Sequence, residues 1–378
     1  MRNLSGMHDG SAHKRTLTID GTVIADDTGA YVIAEVGHNH QGSVATAKQM
    51  FDEAMRCGAN AVKLQKRDNR ALYTSEFFHK PYEHENSFGR TYGEHREALE
   101  FGRAEYQELI DYAREIGITF LATAFDQPSA DFLAELDLPA YKLASGDLSN
   151  IPLLKHVAEI GKPMIISTGA ATMDDVMRAY DAVKPINAQV AVLQCTANYP
   201  ANWEELDLRV IETYREMFPD SVVGLSSHDN GIAMPVAAYV LGARIIEKHF
   251  TLNRAMKGTD HVFSLEPQGL RKLIRDLRRI EVALGDGTKS MYSSEAEPAT
   301  KMAKKLVAAT DLPTGHTLRE EDIAAKSPGD GLPPYELDRL VGRTLRHPLR
   351  ADAELAFELL EEQVPSEPLA QSGPRVDG

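Results

Sequence analysis

Eight times between residues 31 and 286, a short apolar run rich in β-branched residues is followed by a stretch with helical spacing. The runs begin at "YVIAEVG" (31), "AVKLQ" (61), "TFLATAF" (119), "AYKLAS" (140), "PMIIST" (163), "VAVLQCT" (190), "VVGLSSH" (222) and "RIIEKHF" (244). Helical patterns over 44–56, 105–116, 129–136, 173–183, 231–241 and 267–284 lie between or after them. Strand, helix and strand at these lengths force successive strands to lie parallel. Eight such units are what a closed α/β barrel, the (β/α)8 or TIM barrel, requires. An open doubly wound sheet would alternate in the same way, but no Gly-rich dinucleotide fingerprint follows the first run.

Outside that rhythm the chain changes character. Residues 1–30 read as an N-terminal arm or short hairpin, 31–286 as the barrel, and 287–301 as a polar linker. Residues 302–363 carry small apolar runs broken by Gly and Pro, the pattern of a small β-rich domain, and 364–378 read as a disordered tail. Within the barrel, 68–104 is a long polar insertion after the second strand, where a lid or binding loop would sit. The net charge of −15 argues against a nucleic-acid partner and means that any anionic ligand must be held by local cations. Cys57 and Cys195, the two cysteines, each lie in an apolar run and imply no disulfide framework. No apolar signal core or membrane span is visible, so a cytoplasmic location is expected.

Barrel enzymes take their chemistry from the carboxyl ends of the strands. Here those ends offer Glu35, Lys63, Gln65, Thr123, Lys142, Ser145, Ser167, Thr168, Thr196, Asn198, Tyr199, Ser226, His228, Glu247 and His249, with Asp260 on the loop that follows. Two lysines among several hydroxyls suit a ligand that carries both a phosphate and a carboxylate. A lysine in an apolar strand needs an anionic partner; either a ligand or internal ion pairs to Glu35 and Glu247 would serve. His228 and His249 end adjacent parallel strands, so they either bind a divalent metal together or cap their strands through backbone hydrogen bonds. His38 and His40 form an HxH pair like that of metal-dependent barrel hydrolases, but the aspartate those enzymes place after strand eight is absent from "EKHF".

Several segments resemble the N-acetylneuraminate (sialic acid) synthase family, which condenses phosphoenolpyruvate with an aldose. They are "AEVGHNHQG" (34–42), "VKLQ" (62–65), "YKLASGD" (141–147), "STG" (167–169), "QCTANYP" (194–200), "GLSSHD" (224–229), "EKHFT" (247–251) and "GTDH" (258–261). "KSPGDG" (326–331) is similar to part of that family's C-terminal SAF (antifreeze-like, β-clip) domain. The resemblance implies a divalent metal, Mn2+ or Mg2+, on His228 and His249. It implies phosphoenolpyruvate binding by Lys63, Thr123, Lys142, Ser145, Ser167 and Ser226. It implies sugar contacts from Gln65, Asp147, Tyr199 and Asp260, with Glu35 as the acid/base carboxylate. It further implies a domain-swapped homodimer in which one copy's SAF domain covers the other's site. Three positions depart from the family pattern: Asp147 replaces a glutamate, Ala197 a phosphate-side Asn or Ser, and Ser327 an arginine of the SAF domain. Phosphoenolpyruvate and metal positions are therefore largely kept while sugar positions have drifted. A metal-dependent hydrolase, a Schiff-base aldolase and a non-catalytic sugar-binding homologue are the alternatives.

Overall fold

The structure, a computed structural model, describes residues 15–362 and divides into two compact units between Gly285 and Asp286. Residues 1–14 of the expected N-terminal arm and the whole expected tail, 364–378, lie outside the described residues.

The first unit opens with strands β1 (Thr16–Ile19) and β2 (Thr22–Ala25), paired antiparallel. Asp20 and Gly21 turn the hairpin with φ of 48° and 77°, the left-handed pair that a two-residue Asp-Gly connection favours. The barrel strands follow: β3 (Tyr31–Gly37), β4 (Ala61–Lys66), β5 (Thr119–Ala124), β6 (Tyr141–Leu143), β7 (Met164–Ser167), β8 (Val190–Cys195), β9 (Val222–Ser227) and β10 (Ile245–His249). All pair parallel, and β10 closes onto β3. Helix α1 (Val44–Cys57) follows β3, capped by the Ser43 side chain and stopped by Gly58 at φ 92°. Three short helices, α2 (Asn69–Leu72), α3 (Ser75–Phe78) and α4 (Tyr92–Glu97), lie in the 68–104 insertion. The remaining crossovers carry α5 (Arg103–Ile116), α6 (Gln127–Glu135), α7 (Ile151–Glu159), α8 (Met173–Val183), α9 (Val210–Met217) and α10 (Ala233–Val240), with α11 (Pro267–Ala283) after β10.

Strand alternation sorts the side chains. Val32, Ala34 and Val36 of β3, like Val62 and Leu64 of β4, point outward into the core shared with the helices. The inward positions change character along each strand. Near the amino ends they are apolar, with Ile33, Leu121, Ile165, Ala191, Val222 and Ile245 forming a separate core. Two residues further on they become Glu35, Thr123, Ser167 and Glu247. Leu17, Ile19 and Ile24 of the hairpin join the apolar inner core, so part of the expected arm is built into the barrel floor. Gly224 has no room for a side chain: a Cβ there would meet the Ile245 carbonyl oxygen at 2.4 Å.

The insertion reads as polar, but its aromatics pack together. Tyr92 lies 4.7 Å from Phe77, 5.2 Å from Tyr73 and 5.4 Å from Tyr82, centroid to centroid. Asn86 accepts a hydrogen bond from the Gly258 amide at 3.0 Å, tying the insertion to the loop after β10. It is a built wall of the barrel mouth.

The second unit begins with polar chain that becomes helical at α12 (Ala296–Met302), inside the stretch expected to be linker. Strands β11 (Lys305–Ala308) and β12 (Ile323–Lys326) pair antiparallel, and Leu306, Leu318, Leu340, Leu345 and Leu355 form its own small core. Among the described residues, no helix is long and apolar enough to cross a membrane.

If the hairpin is part of the floor, Ile19→Ala should leave a cavity and destabilise the barrel by about 2–5 kcal/mol. Urea denaturation followed by far-UV circular dichroism checks this; a change within error would mean the hairpin only rests on the barrel.

Candidate active site

The register brings the polar strand ends together. Glu35 is paired with His249 on one side and Lys63 on the other. Gln65 pairs with Thr123, Thr123 with Lys142, and Ser226 with both Cys195 and Glu247. The inward members of these pairs line a cavity of about 530 Å³ at the carboxyl end of the barrel. Glu35, Lys63, Gln65, Thr123, Lys142 and Ser145 are in its wall, as are Ser167, Tyr199, Ser226, His228, His249 and Asp260.

Charge balance inside the cavity is tight. The Lys63 ammonium contacts Glu35, donates to Thr123 Oγ1 at 2.8 Å and lies 3.7 Å from Glu247. Lys142 donates to the Leu143 carbonyl at 2.9 Å and stands 3.9 Å from Glu247, beyond hydrogen-bond length. The internal ion pairs foreseen from the sequence are thus present, but only that to Glu35 is close. Burial pulls Lys142 below the usual amine range, against the attraction of Glu247. The two carboxyls move in opposite directions. Burial pushes Glu35 up, with Lys63 opposing it. For Glu247 burial acts upward too, but Lys142, Lys63 and the Ser226 hydroxyl outweigh it and hold the group at about 2. Among the described residues, the buried Ser167 hydroxyl and one Glu247 oxygen have no hydrogen-bond partner, as expected where a polar ligand completes the set.

The imidazoles of His228 and His249 lie 5.3 Å apart. His228 Nδ1 donates to the Thr196 carbonyl at 2.9 Å, which leaves Nε2 as the lone-pair nitrogen. Burial, reinforced by the mutual effect of the rings, holds His228 down at about 4. Burial does the same to His249, to about 4, against the nearby Asp260 carboxylate. Both are therefore neutral ligand-type imidazoles, and His249 Nδ1 has no hydrogen-bond partner among the described residues. This donor set suits a divalent cation that takes its other ligands from substrate or water. Among the described residues, no three His, Cys, Asp or Glu side chains group as a metal cage. His40 does not join them: it stacks on Phe101 at 4.2 Å and accepts from the Gly42 amide, so the HxH pair forms no joint site with His228 and His249.

The NeuB family model matches residues 50–289, from within α1 to just past α11, and the SAF domain model matches residues 305–361. The chain belongs to the NeuB family. An N-acetylneuraminate-9-phosphate synthase of Mus musculus is 41% identical over 88% of this chain and 92% of its own length. An N,N'-diacetyllegionaminic acid synthase of Legionella pneumophila is 34% identical over 88% of this chain and 94% of its own. The solved N-acetylneuraminic acid synthetase of Leptospira borgpetersenii, 32% identical, superposes with a TM-score of 0.66 over 75% of this chain and 95% of its own.

The NeuB barrel of this chain also has features that the strand-end reading missed. Arg67, one residue past β4, and Arg96, in α4, both line the cavity, as do Phe125 and Thr259. Arg67 lies two residues beyond Gln65 and so continues the inward face of β4; extending that strand's alternation would have found it. No spacing rule points to Arg96. Asp147, expected at the sugar, is not in the wall; it is buried behind it, within the influence of Arg67 and Lys142. Ala197 is in the wall, while Asn198 turns to Glu205 at 3.3 Å.

Burial pushes the Asp147 carboxyl up to about 6 from its ordinary 3.8. Between those values the folded chain holds a proton that the unfolded chain has released, so this group makes stability fall as pH rises through that window. Asp147→Asn removes the loss. Its melting temperature relative to the unaltered protein should therefore be higher near neutral pH than in mildly acidic buffer; a pH-independent difference would mean that Asp147 is ionised without penalty.

Proposed function

We propose that this NeuB-family chain joins phosphoenolpyruvate to an open-chain aldose, N-acetylmannosamine or a related sugar. The products are a nonulosonic, sialic-acid-like acid and phosphate. The observation that carries the reading is the meeting of two ammoniums, three serine hydroxyls and two neutral imidazoles in one cavity. The synthase names of its relatives support it.

Lys142 with Ser145, Ser167 and Ser226 takes the phosphate of phosphoenolpyruvate, and Lys63 with Thr123 takes the carboxylate. Lys142 has donors free for this, because its approach to Glu247 is loose. Gln65, Tyr199 and Asp260 face the sugar. His228 and His249 would hold Mn2+ or Mg2+, which when bound supplies polarisation of the sugar's aldehyde. Glu35 is the proton carrier, since burial favours its protonated form. C3 of the enol phosphate bonds to the aldehyde carbon while Glu35 gives its proton to the aldehyde oxygen. Water adds at C2 and returns a proton to Glu35. The tetrahedral adduct then breaks its C–O bond to phosphate, and the C2 hydroxyl gives its proton to the departing phosphate as it becomes the ketone. We take the enzyme to be cytoplasmic. It works as a homodimer in which one copy's SAF domain covers the other's barrel mouth; a light-scattering mass of one chain would refute that arrangement.

Phosphate release should require phosphoenolpyruvate, a divalent cation and an aldose together. Lys142→Ala should raise the KM for phosphoenolpyruvate by about tenfold or more, the scale of one charge-assisted contact; an unchanged KM would place the phosphate elsewhere. His249→Ala should abolish turnover with the circular dichroism spectrum intact, and full metal-independent turnover in that variant would remove the cation from the reaction. The lowered Lys142 amine leaves one rival, a Schiff-base aldolase. Irreversible inactivation by borohydride in the presence of pyruvate, without phosphate release, would favour the rival.

A further inference from the structure

The two strands that lead to His228 and His249 are also tied together on their outer face. Strands β9 and β10 pair parallel, with Ser226 opposite Glu247 and Ser227 opposite Lys248. Ser226, His228, Glu247 and His249 line the cavity, so alternation turns Ser227 and Lys248 into the helical layer. Outward positions near other strand ends, such as Val36, Leu64 and Ile166, are apolar and join the core of that layer. Here the layer holds an ion pair instead. Lys248 and Asp229 are each 1% exposed, and the ammonium lies 2.8 Å from the carboxylate.

A lysine ammonium has three donors, and this one spends them on a single turn. They go to Asp229 Oδ1, to the Asp229 backbone carbonyl and, at 3.2 Å, to the Ser227 hydroxyl. That hydroxyl donates in turn to Asp229 Oδ1. Each member of the pair is next to a histidine: Asp229 follows His228, and Lys248 precedes His249. The register between the two strands ends at Ser227 and Lys248. Beyond it, the ion pair carries the tie from β10 to the turn that presents His228. With both its carbonyl and its carboxylate held, Asp229 cannot rotate without pulling on the peptide that joins it to His228.

Stability does not account for the pair. Well-packed neutral residues of similar volume often serve as well as a buried ion pair, or better. This one is also incompletely satisfied, because Asp229 Oδ2 is buried with no hydrogen-bond partner among the described residues. What the pair supplies is position.

We infer that Asp229 and Lys248 clamp the two histidine-bearing segments at the spacing that lets both neutral imidazoles reach one divalent cation. Neither residue lines the cavity, so both are positioning residues that act through the backbone of their neighbours. The inference rests on the cation reading proposed above.

The test uses Asp229→Asn/Lys248→Met, a neutral pair of similar volume that leaves no uncompensated buried charge. Mn2+ is titrated into each protein without substrate, and the free ion is read from its electron paramagnetic resonance signal. The unaltered protein should bind Mn2+ and His249→Ala should not. The double variant should bind it about tenfold or more weakly, the usual scale for groups that orient a metal ligand. Its melting temperature, and its calorimetric affinity for phosphoenolpyruvate without metal, should stay close to those of the unaltered protein. Unchanged Mn2+ affinity in the folded double variant would overturn the clamp and leave the cation reading standing. Equal losses of Mn2+ and phosphoenolpyruvate affinity would also overturn it, since the pair would then shape the whole barrel mouth. If the double variant does not fold, Ser227→Ala, which removes only the bridging hydroxyl, carries the test with a smaller loss of Mn2+ affinity expected and no loss overturning the clamp. An unaltered protein that binds no Mn2+ would overturn the clamp and the cation reading together. Mn2+ binding weakened in the double variant, from a protein that releases no phosphate from phosphoenolpyruvate, would retain the clamp and reject the condensation.

Discussion

Two carboxylates and two ammoniums enclosed in one barrel mouth set the terms for the rest of this chain. Taking an isolated charge out of water costs several kcal/mol even after relaxation. Lys63 and Lys142 have carboxyl groups facing them because Glu35 and Glu247 come from the neighbouring strands β3 and β10. That arrangement is a property of the closed parallel sheet. A slip of one residue in β4 would turn Lys63 into the helical layer and leave Glu35 without its close partner. The register of the barrel and the electrostatics of the site are therefore one constraint seen twice.

The balance is also incomplete. Lys63 is fully engaged, while Lys142 and Glu247 are near each other without a hydrogen bond, and the Ser167 hydroxyl has no hydrogen-bond partner among the described residues. A site whose hydrogen bonds are unspent can exchange an internal carboxyl contact for a ligand's oxygens with little reorganisation. The same surroundings separate the carboxyls: the lysines and Ser226 keep Glu247 ionised, and burial favours the proton on Glu35. One acid thus holds the cations, and the other is free to move a proton.

Much of this was legible in the sequence because strands have a period of two. Once the eight runs are aligned, the inward positions read off as apolar at the floor and polar at the mouth. That gave Glu35, Lys63, Thr123, Lys142, Ser226, His228 and His249 with no coordinates. The failures have physical reasons. Arg67 lies just past the apolar run of β4, where the pattern looked finished although the pleat continues. Arg96 reaches the cavity from a segment whose position depends on aromatic packing around Tyr92 and a tie from Asn86 to Gly258, contacts with no periodic signature. Asp147 follows β6 in a single 3-10 turn, and that turn swings its side chain behind the wall. The hairpin's Asp-Gly turn was readable, but its use as the barrel floor was not, because burial of Leu17 and Ile19 needs the far ends of strands from all over the barrel.

Those misses share a direction. Most groups assigned to phosphoenolpyruvate and the cation lie on the strands or, like Ser145 and His228, within two residues of their ends, and the barrel's register allows them little freedom. Of the groups assigned to the sugar, Gln65 is on β4 while Tyr199 and Asp260 come from loops, whose backbone is fixed by local packing that can change without disturbing the sheet. A fold built this way can keep one half-reaction, the activation of an enol phosphate, while its acceptor side is remodelled by short segments. Arg67 and Arg96 sit at that division: one prolongs a strand, the other rides on the insertion, and His38 from the first loop bridges them. Their meeting requires all three segments at once, so the charge they concentrate at the mouth depends on the loops as much as on the barrel's register.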